Sequence, residues 1–272
     1  MVLLSCLGHI GRTPSGERKP APPAAHIVAG CGDRSGSMQS MGGSPPLQFH
    51  EQMLMLANTG KELGVPTIFS LVTFDDKCDV PIESLDLTSI PNDELPNEQQ
   101  FTNYMAPRGM TALYDSGLIT LMMLERQVEK YRSELPASVR RLNPNIVSSY
   151  VLLTDGADNS SKRGSFEAHV FKLNELRASG TMAIFLGANI DAATTGVSLG
   201  FDVQASIQVD PTFEGAECVL RSVSHTLQRA STGDDSQQVN LSPVSTPRDQ
   251  ISSGIPANWN PPRLMRARCL RT

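Results

Sequence analysis

The chain is poor in the residues that carry most zinc, redox and membrane chemistry. It has one tryptophan, Trp259, and only 5% aromatic residues. Its five cysteines, Cys6, Cys31, Cys78, Cys218 and Cys269, are odd in number and widely spaced. No Cys-x-x-Cys pair occurs, which argues against a thiolate zinc site and against a disulfide framework. Reduced thiols are therefore expected. No apolar run approaches the ~20 residues that span a bilayer. The opening Met1-Val2-Leu3-Leu4-Ser5-Cys6-Leu7 lacks a basic start and is too short for a secretory core. The expected setting is cytoplasmic or otherwise intracellular, with no membrane span.

Positive charge is also in short supply. Lys and Arg total 23 against 28 Asp and Glu, a formal net charge of −5, so no global field recruits nucleic acid. Arg263, Arg266, Arg268 and Arg271 gather near the end and read as a solvated tail. The sequence offers a catalytic reading little. There is no His-Glu-x-x-His, and Gly60-Lys61 is followed by Glu62 without an upstream glycine loop. Gly32-Asp33-Arg34-Ser35-Gly36 misses the Gly-x-Ser-x-Gly spacing by one residue. The histidines, His9, His26, His50, His169 and His225, show no ligand spacing.

What is present is an apolar middle between two irregular ends. Residues 1–24 close on Pro20-Ala21-Pro22-Pro23-Ala24 and predict an extended arm. Residues 232–272, with Pro243, Pro247, Pro256 and Pro261-Pro262, predict a Pro-rich, basic extension. Residues 25–231 between them alternate strand and helix patterns. Apolar runs at 26–29, 67–74, 146–154, 182–186 and 203–209 predict strands, with a short paired strand at 78–82. Helices are predicted at 47–63, 112–135, 166–178 and 213–230. Such alternation predicts a doubly wound, mainly parallel α/β sheet with helices on both faces. Ligands of such sheets sit beyond the carboxyl ends of the strands, where strand order reverses.

Three segments fall where that rule points. Asp33-Arg34-Ser35-Gly36-Ser37 follows the first strand, and Gly109-Met110-Thr111-Ala112-Leu113 opens the long helix. Thr154-Asp155-Gly156 ends the strand at 146–154. Singly, each has an ordinary explanation: turn and cap residues for Asp33, Ser35, Ser37 and Thr111, and an Asp-Gly turn for Asp155. Together, in this order, the five positions resemble the metal-ion-dependent adhesion site of von Willebrand factor A domains, over roughly residues 25 to 230.

That resemblance implies a six-stranded Rossmann-like sheet with a divalent metal at its upper edge. Ser35, Ser37 and Thr111 would offer hydroxyl oxygens, and Asp33 and Asp155 would act directly or through water. The residue types suit Mg²⁺, or Mn²⁺ or Ca²⁺, because these are hard cations that take oxygen ligands. Neutral hydroxyls leave the ion's charge poorly cancelled, so an open position attracts Asp or Glu of a partner protein. The implied role is adhesion or assembly rather than catalysis. A subunit of a large complex or particle is the alternative. A metal-dependent hydrolase fits less well, since no histidine lies in the three segments to serve as base.

The chain departs from the family in its first strand, where Ala29-Gly30-Cys31-Gly32 replaces a solid apolar run. Glycine weakens a strand and often marks close approach of another backbone, so the expectation is a less rigid Asp33 loop. Arg34 and Arg108 flank the site and either steer an acidic partner or are simply solvated, and Asp158 is either an outer carboxylate or an exposed loop acid. Asp75-Asp76 is assigned only to a turn.

Overall fold

The computed structural model describes residues 21–210 and 213–233. Most of the arm expected over residues 1–24 and nearly all of the extension over 232–272 lie outside the described residues, and with them Cys6, Cys269, Trp259 and the arginine cluster. The strands are β1 (Ala25–Asp33), β2 (Thr67–Phe74), β3 (Cys78–Asp86), β4 (Ile146–Thr154), β5 (Met182–Ala188) and β6 (Ser206–Val209). They form one six-stranded sheet in the order β3-β2-β1-β4-β5-β6. Every neighbouring pair is parallel except β2 and β3, whose antiparallel ladder carries two register shifts.

The helices are α1 (Ser44–Leu63), α2 (Glu98–Tyr104), α3 (Leu113–Glu134), α4 (Ala137–Arg140), α5 (Ser165–Ala178), α6 (Ala192–Ser198) and α7 (Phe213–Ser231). Each sheet face has its own core because successive strand residues point to opposite sides. Val28, Phe69, Leu71, Val151, Leu153 and Ile184 meet Phe49, Met53 and Leu56 of α1 and Val223 and Leu227 of α7. Ile27, Ala29, Cys31, Val72, Tyr150 and Phe185 meet Leu121 and Leu124 of α3 and Leu173 and Leu176 of α5. The sheet is thus covered on both faces, as the near-continuous apolar runs of β2 and β4 require. Among the described residues, no helix is long and apolar enough to cross a membrane.

β1 continues through the glycines to Asp33, and all nine of its residues are buried. A Cβ on Gly30 would stand 2.9 Å from Phe49 Cε1, and one on Gly32 would stand 2.7 Å from Met105 Cε. The missing side chains let α1 and the segment after α2 press onto the strand, so the glycines thicken the packing rather than weaken it. Gly30→Ala is expected to cost about 1–3 kcal/mol by overpacking. Urea unfolding checks this, and an unchanged midpoint would contradict the packing account.

The sequence did not predict α2 or α6. It also placed the last strand too early, because residues 203–205 form a 3₁₀ turn capped by Asp202, which accepts from Gln204 N at 2.8 Å. The layout fixes where a site lies. From β1 the chain leaves over the α1 face toward β2, and from β4 it leaves over the α5 face toward β5. The carboxyl ends of β1 and β4 flank the point where the strand order reverses.

Candidate metal centre

Asp33 ends β1 with both carboxylate oxygens engaged. Oδ1 accepts from Ser35 N at 2.7 Å, and Oδ2 accepts from Thr154 Oγ1 at 2.6 Å, tying β1 to β4. The chain then turns into a 3₁₀ helix over Gly36–Met41. Ser35 Oγ lies 3.1 Å from Ser37 Oγ, and Ser37 Oγ donates to Asp155 Oδ1 at 2.7 Å. A Cβ on Gly156 would lie 3.9 Å from both Ser37 Oγ and Thr111 Oγ1. Four of the five residues are thus joined by a chain of short contacts, and Thr111 approaches from the second segment.

The hydroxyls are not spent on helix caps. Ser35 precedes the 3₁₀ helix without a side-chain cap bond, and the N-cap of α3 is Ala112 rather than Thr111. Thr111 is instead held through its backbone. Its N–H donates to Asn159 Oδ1 at 2.8 Å, and its carbonyl accepts from the amides of Asn159 and Ser160. Neither Asn159 nor its role could be read from the sequence, because an exposed loop amide has no pattern of its own.

Asp33 and Asp155 are 1% and 4% exposed, which decides their electrostatics. Burial pushes the Asp33 carboxyl up to about 6, partly offset by its hydrogen bonds to Thr154 and Ser35, and nearby Asp155 adds to the rise. Burial also raises Asp155, against the pull of Ser37. Asp155 Oδ2 is buried with no hydrogen-bond partner. A buried carboxylate oxygen without a donor is costly unless a cation meets it. Among the described residues, no group of three or more His, Cys, Asp or Glu gathers to hold a metal. The donors here are chiefly hydroxyls with two carboxylates, a hard-oxygen set that fits Mg²⁺, Mn²⁺ or Ca²⁺ and not a thiolate or imidazole metal.

The flanking charges are arranged differently from the expectation. Arg34 is buried and Arg108 is exposed, but both guanidinium groups are engaged by acids. Arg34 Nε and Arg108 Nε donate to Asp75 Oδ2 at 3.0 and 2.6 Å. Arg34 Nη2 and Arg108 Nη2 both reach Asp79. These arginines are therefore not free to steer a partner. Asp75 is 1% exposed, and although burial disfavours its charge, the bonds from Arg108, Lys77 and Arg34 hold its pKa below the usual carboxylate value. Its assignment to a simple turn is corrected. Asp158 accepts from Ser161 Oγ and Tyr114 N and so braces its own loop against α3.

No protein-family model matches the chain, and no curated protein sequence does. Solved structures do. The pilus adhesin SpaC from Lactobacillus rhamnosus GG, in its open conformation, aligns at 13% identity and TM-score 0.55 over 79% of this chain and 31% of that one. The vWF domain of the type V pili tip protein Mfa5 from Porphyromonas gingivalis aligns at 9% identity and TM-score 0.53 over 76% of this chain and 96% of the domain. Proximal thread matrix protein 1 from the mussel byssus, with zinc occupying its MIDAS motif, aligns at 15% identity and TM-score 0.43, covering 77% of this chain and 46% of that one. This chain therefore spans less than half the length of the adhesin and of the byssal protein. At these identities the likeness to SpaC and Mfa5 is one of fold, and together with the sheet order it shows that the chain has the von Willebrand factor A fold.

Proposed function

We propose that the chain is a divalent-cation-dependent protein-binding module that serves adhesion or assembly. The observation that carries this reading is the buried, unpartnered Asp155 Oδ2, bonded through its other oxygen to Ser37, on which the Ser35 and Thr111 segments close. In this reading Ser35, Ser37 and Thr111 offer hydroxyl oxygens and Asp155 a carboxylate oxygen. Asp33 acts through water, because both its oxygens already hold Ser35 and Thr154. A bound Mg²⁺, Mn²⁺ or Ca²⁺ supplies concentrated positive charge and a position that an Asp or Glu of a partner protein completes.

The protein's own task is to hold the donors still and keep competing bases away. The three segments contain no histidine, so binding without turnover is the reading. The pilus proteins that share the fold are in keeping with it, and equally with a structural subunit of a larger assembly. Cys31 and Cys78 are free thiols, compatible with an intracellular setting, for which the pilus proteins give no support.

The test uses the full chain with Mn²⁺ and N-acetylaspartate as a minimal stand-in for a partner's acid. Water-proton relaxation enhancement by bound Mn²⁺ should fall as N-acetylaspartate displaces coordinated water, and recover on dilution. Retained enhancement at saturating N-acetylaspartate would count against carboxylate capture. Steady consumption of phosphoester or peptide substrates, abolished in Asp155→Ala, would favour the hydrolase.

A further inference from the structure

We propose that Asp75 and Arg108 are positioning residues for the cation, setting its affinity by fixing the spacing between the Ser35–Ser37 and Thr111 segments. This rests on the cation-binding reading of the site and adds residues that supply no ligand.

The carboxylate of Asp75 projects from the end of β2, a strand that brings no donor to the site. Its Oδ2 accepts from Arg34, which sits between Asp33 and Ser35, and from Arg108, which lies three residues before Thr111. Its Oδ1 accepts from Lys77 N at 2.8 Å, and its backbone carbonyl accepts from Ala112 N at 2.7 Å, directly after Thr111. One buried residue therefore grips both donor-bearing segments, each by its own contact. The two segments also bond each other through Arg108 N to Arg34 O at 2.7 Å and Gly36 N to Gly109 O at 3.2 Å.

Gly109 allows this closeness. Its φ is +69°, and a Cβ there would stand 2.6 Å from Asp76 Oδ1 and 3.1 Å from Asp75 Cβ. The backbone crosses directly over the acids, which puts Arg108 within reach of Asp75. Affinity for a small cation depends on donor positions to fractions of an ångström, and outer partners of ligands typically carry about 10–100-fold of it.

Positioning and plain charge make opposite forecasts here. Arg108 places a positive charge beside a cation site, so charge alone says its removal tightens binding. Positioning says the removal weakens binding, because the Thr111 segment keeps its backbone bond from Ala112 N but loses its side-chain hold on Asp75. Arg108 is 60% exposed in its side chain, so Arg108→Ala should fold.

The experiment is Mn²⁺ titration by electron paramagnetic resonance on the full chain, paired with thermal melting in EDTA. Arg108→Ala should weaken Mn²⁺ binding about fivefold with a melting midpoint close to wild type. Asp75→Asn should weaken it about tenfold, and the Asp75→Asn/Arg108→Ala double variant should bind as weakly as Asp75→Asn, since both act through one contact. Wild-type or tighter binding by Arg108→Ala, or recovery in the double variant, overturns the positioning role while leaving the cation site standing. Absence of Mn²⁺ binding by the wild type overturns the site and this role together.

Discussion

Asp155→Ala is expected to weaken Mg²⁺ and Mn²⁺ binding by about two orders of magnitude, roughly 3 kcal/mol, the scale on which losing one partner of a buried charge contact is felt. Two effects combine. The carboxylate whose Oδ2 has no other partner is gone, and Ser37 Oγ loses its acceptor at 2.7 Å. The metal-free protein should behave in the opposite way. Burial already penalises the Asp155 charge, so alanine removes an unfavourable group and the melting midpoint in EDTA should hold or rise. Saturating Mg²⁺ should raise the wild-type midpoint by mass action and leave the variant unmoved. Calorimetric titration alongside melting reads both quantities, and adding Ser35→Ala to Asp155→Ala should bring the heats close to baseline. Equal heats from wild type and the double variant would dismiss the site.

A second large effect should appear on acidification. His26 is buried between Ser231 Oγ at 2.7 Å and Ser149 Oγ at 2.9 Å, and burial lowers its pKa to about 3. His169 is buried with neither ring nitrogen partnered, and burial lowers its pKa to about 4. Both are neutral in the folded chain, whereas an unfolded histidine takes up a proton near pH 6.5. Between the folded value and 6.5 the unfolded state binds more protons. Stability is therefore complete above pH 6.5 and falls as pH drops below it. By pH 4 each histidine should cost about 3 kcal/mol.

Asp33 opposes this in the metal-free protein. Its raised pKa of about 6 means that protonation favours the folded form between there and its ordinary value. With Mg²⁺ present that offset should shrink, and the loss in acid should steepen. Urea unfolding at pH 7 and pH 4.5 checks the account. His169→Phe keeps a ring beside Tyr150 and Phe201 but cannot be protonated, so it should lose clearly less stability in acid than wild type. Identical losses in the two proteins would rule His169 out as a source of the effect.

The parts of the fold that announced themselves in the sequence are those governed by continuous burial. β2 and β4 occupy the ranges their apolar runs predict, because strands covered on both faces tolerate few polar residues. The short α6, Ala192–Ser198, has the composition Ala-Ala-Thr-Thr-Gly-Val-Ser and no helical periodicity to see. It forms because Asp191 caps it by accepting from Thr194 N, and because Ala192 packs into the core beneath. α2 did leave a trace, the Asn97-x-x-Gln100 capping box, between the predicted strand at 78–82 and the predicted helix at 112–135.

At the candidate site, Asp33, Ser35, Ser37, Thr111 and Asp155 were singled out by their resemblance to the adhesion-site pattern, and the fold brings their three segments together. Their supports were not visible. Asp75 meets Arg34 and Arg108 across sequence separations of 41 and 33 residues, and a charged residue in a polar loop is ordinarily solvated. Only the folded chain reveals that these charges cancel one another.

The margins of the sheet bear on how copies of the chain behave when crowded. β3 is antiparallel to its neighbour, carries two register shifts and turns through a left-handed Ser84 at φ 53°, while β6 is only four residues long. An incoming strand needs a long, regular row of free amides and carbonyls to extend a sheet, and neither margin provides one. Polymerisation by strand addition is thereby disfavoured. Oligomers of this chain should therefore form through side-chain surfaces and loops, and dissociate without unravelling either subunit.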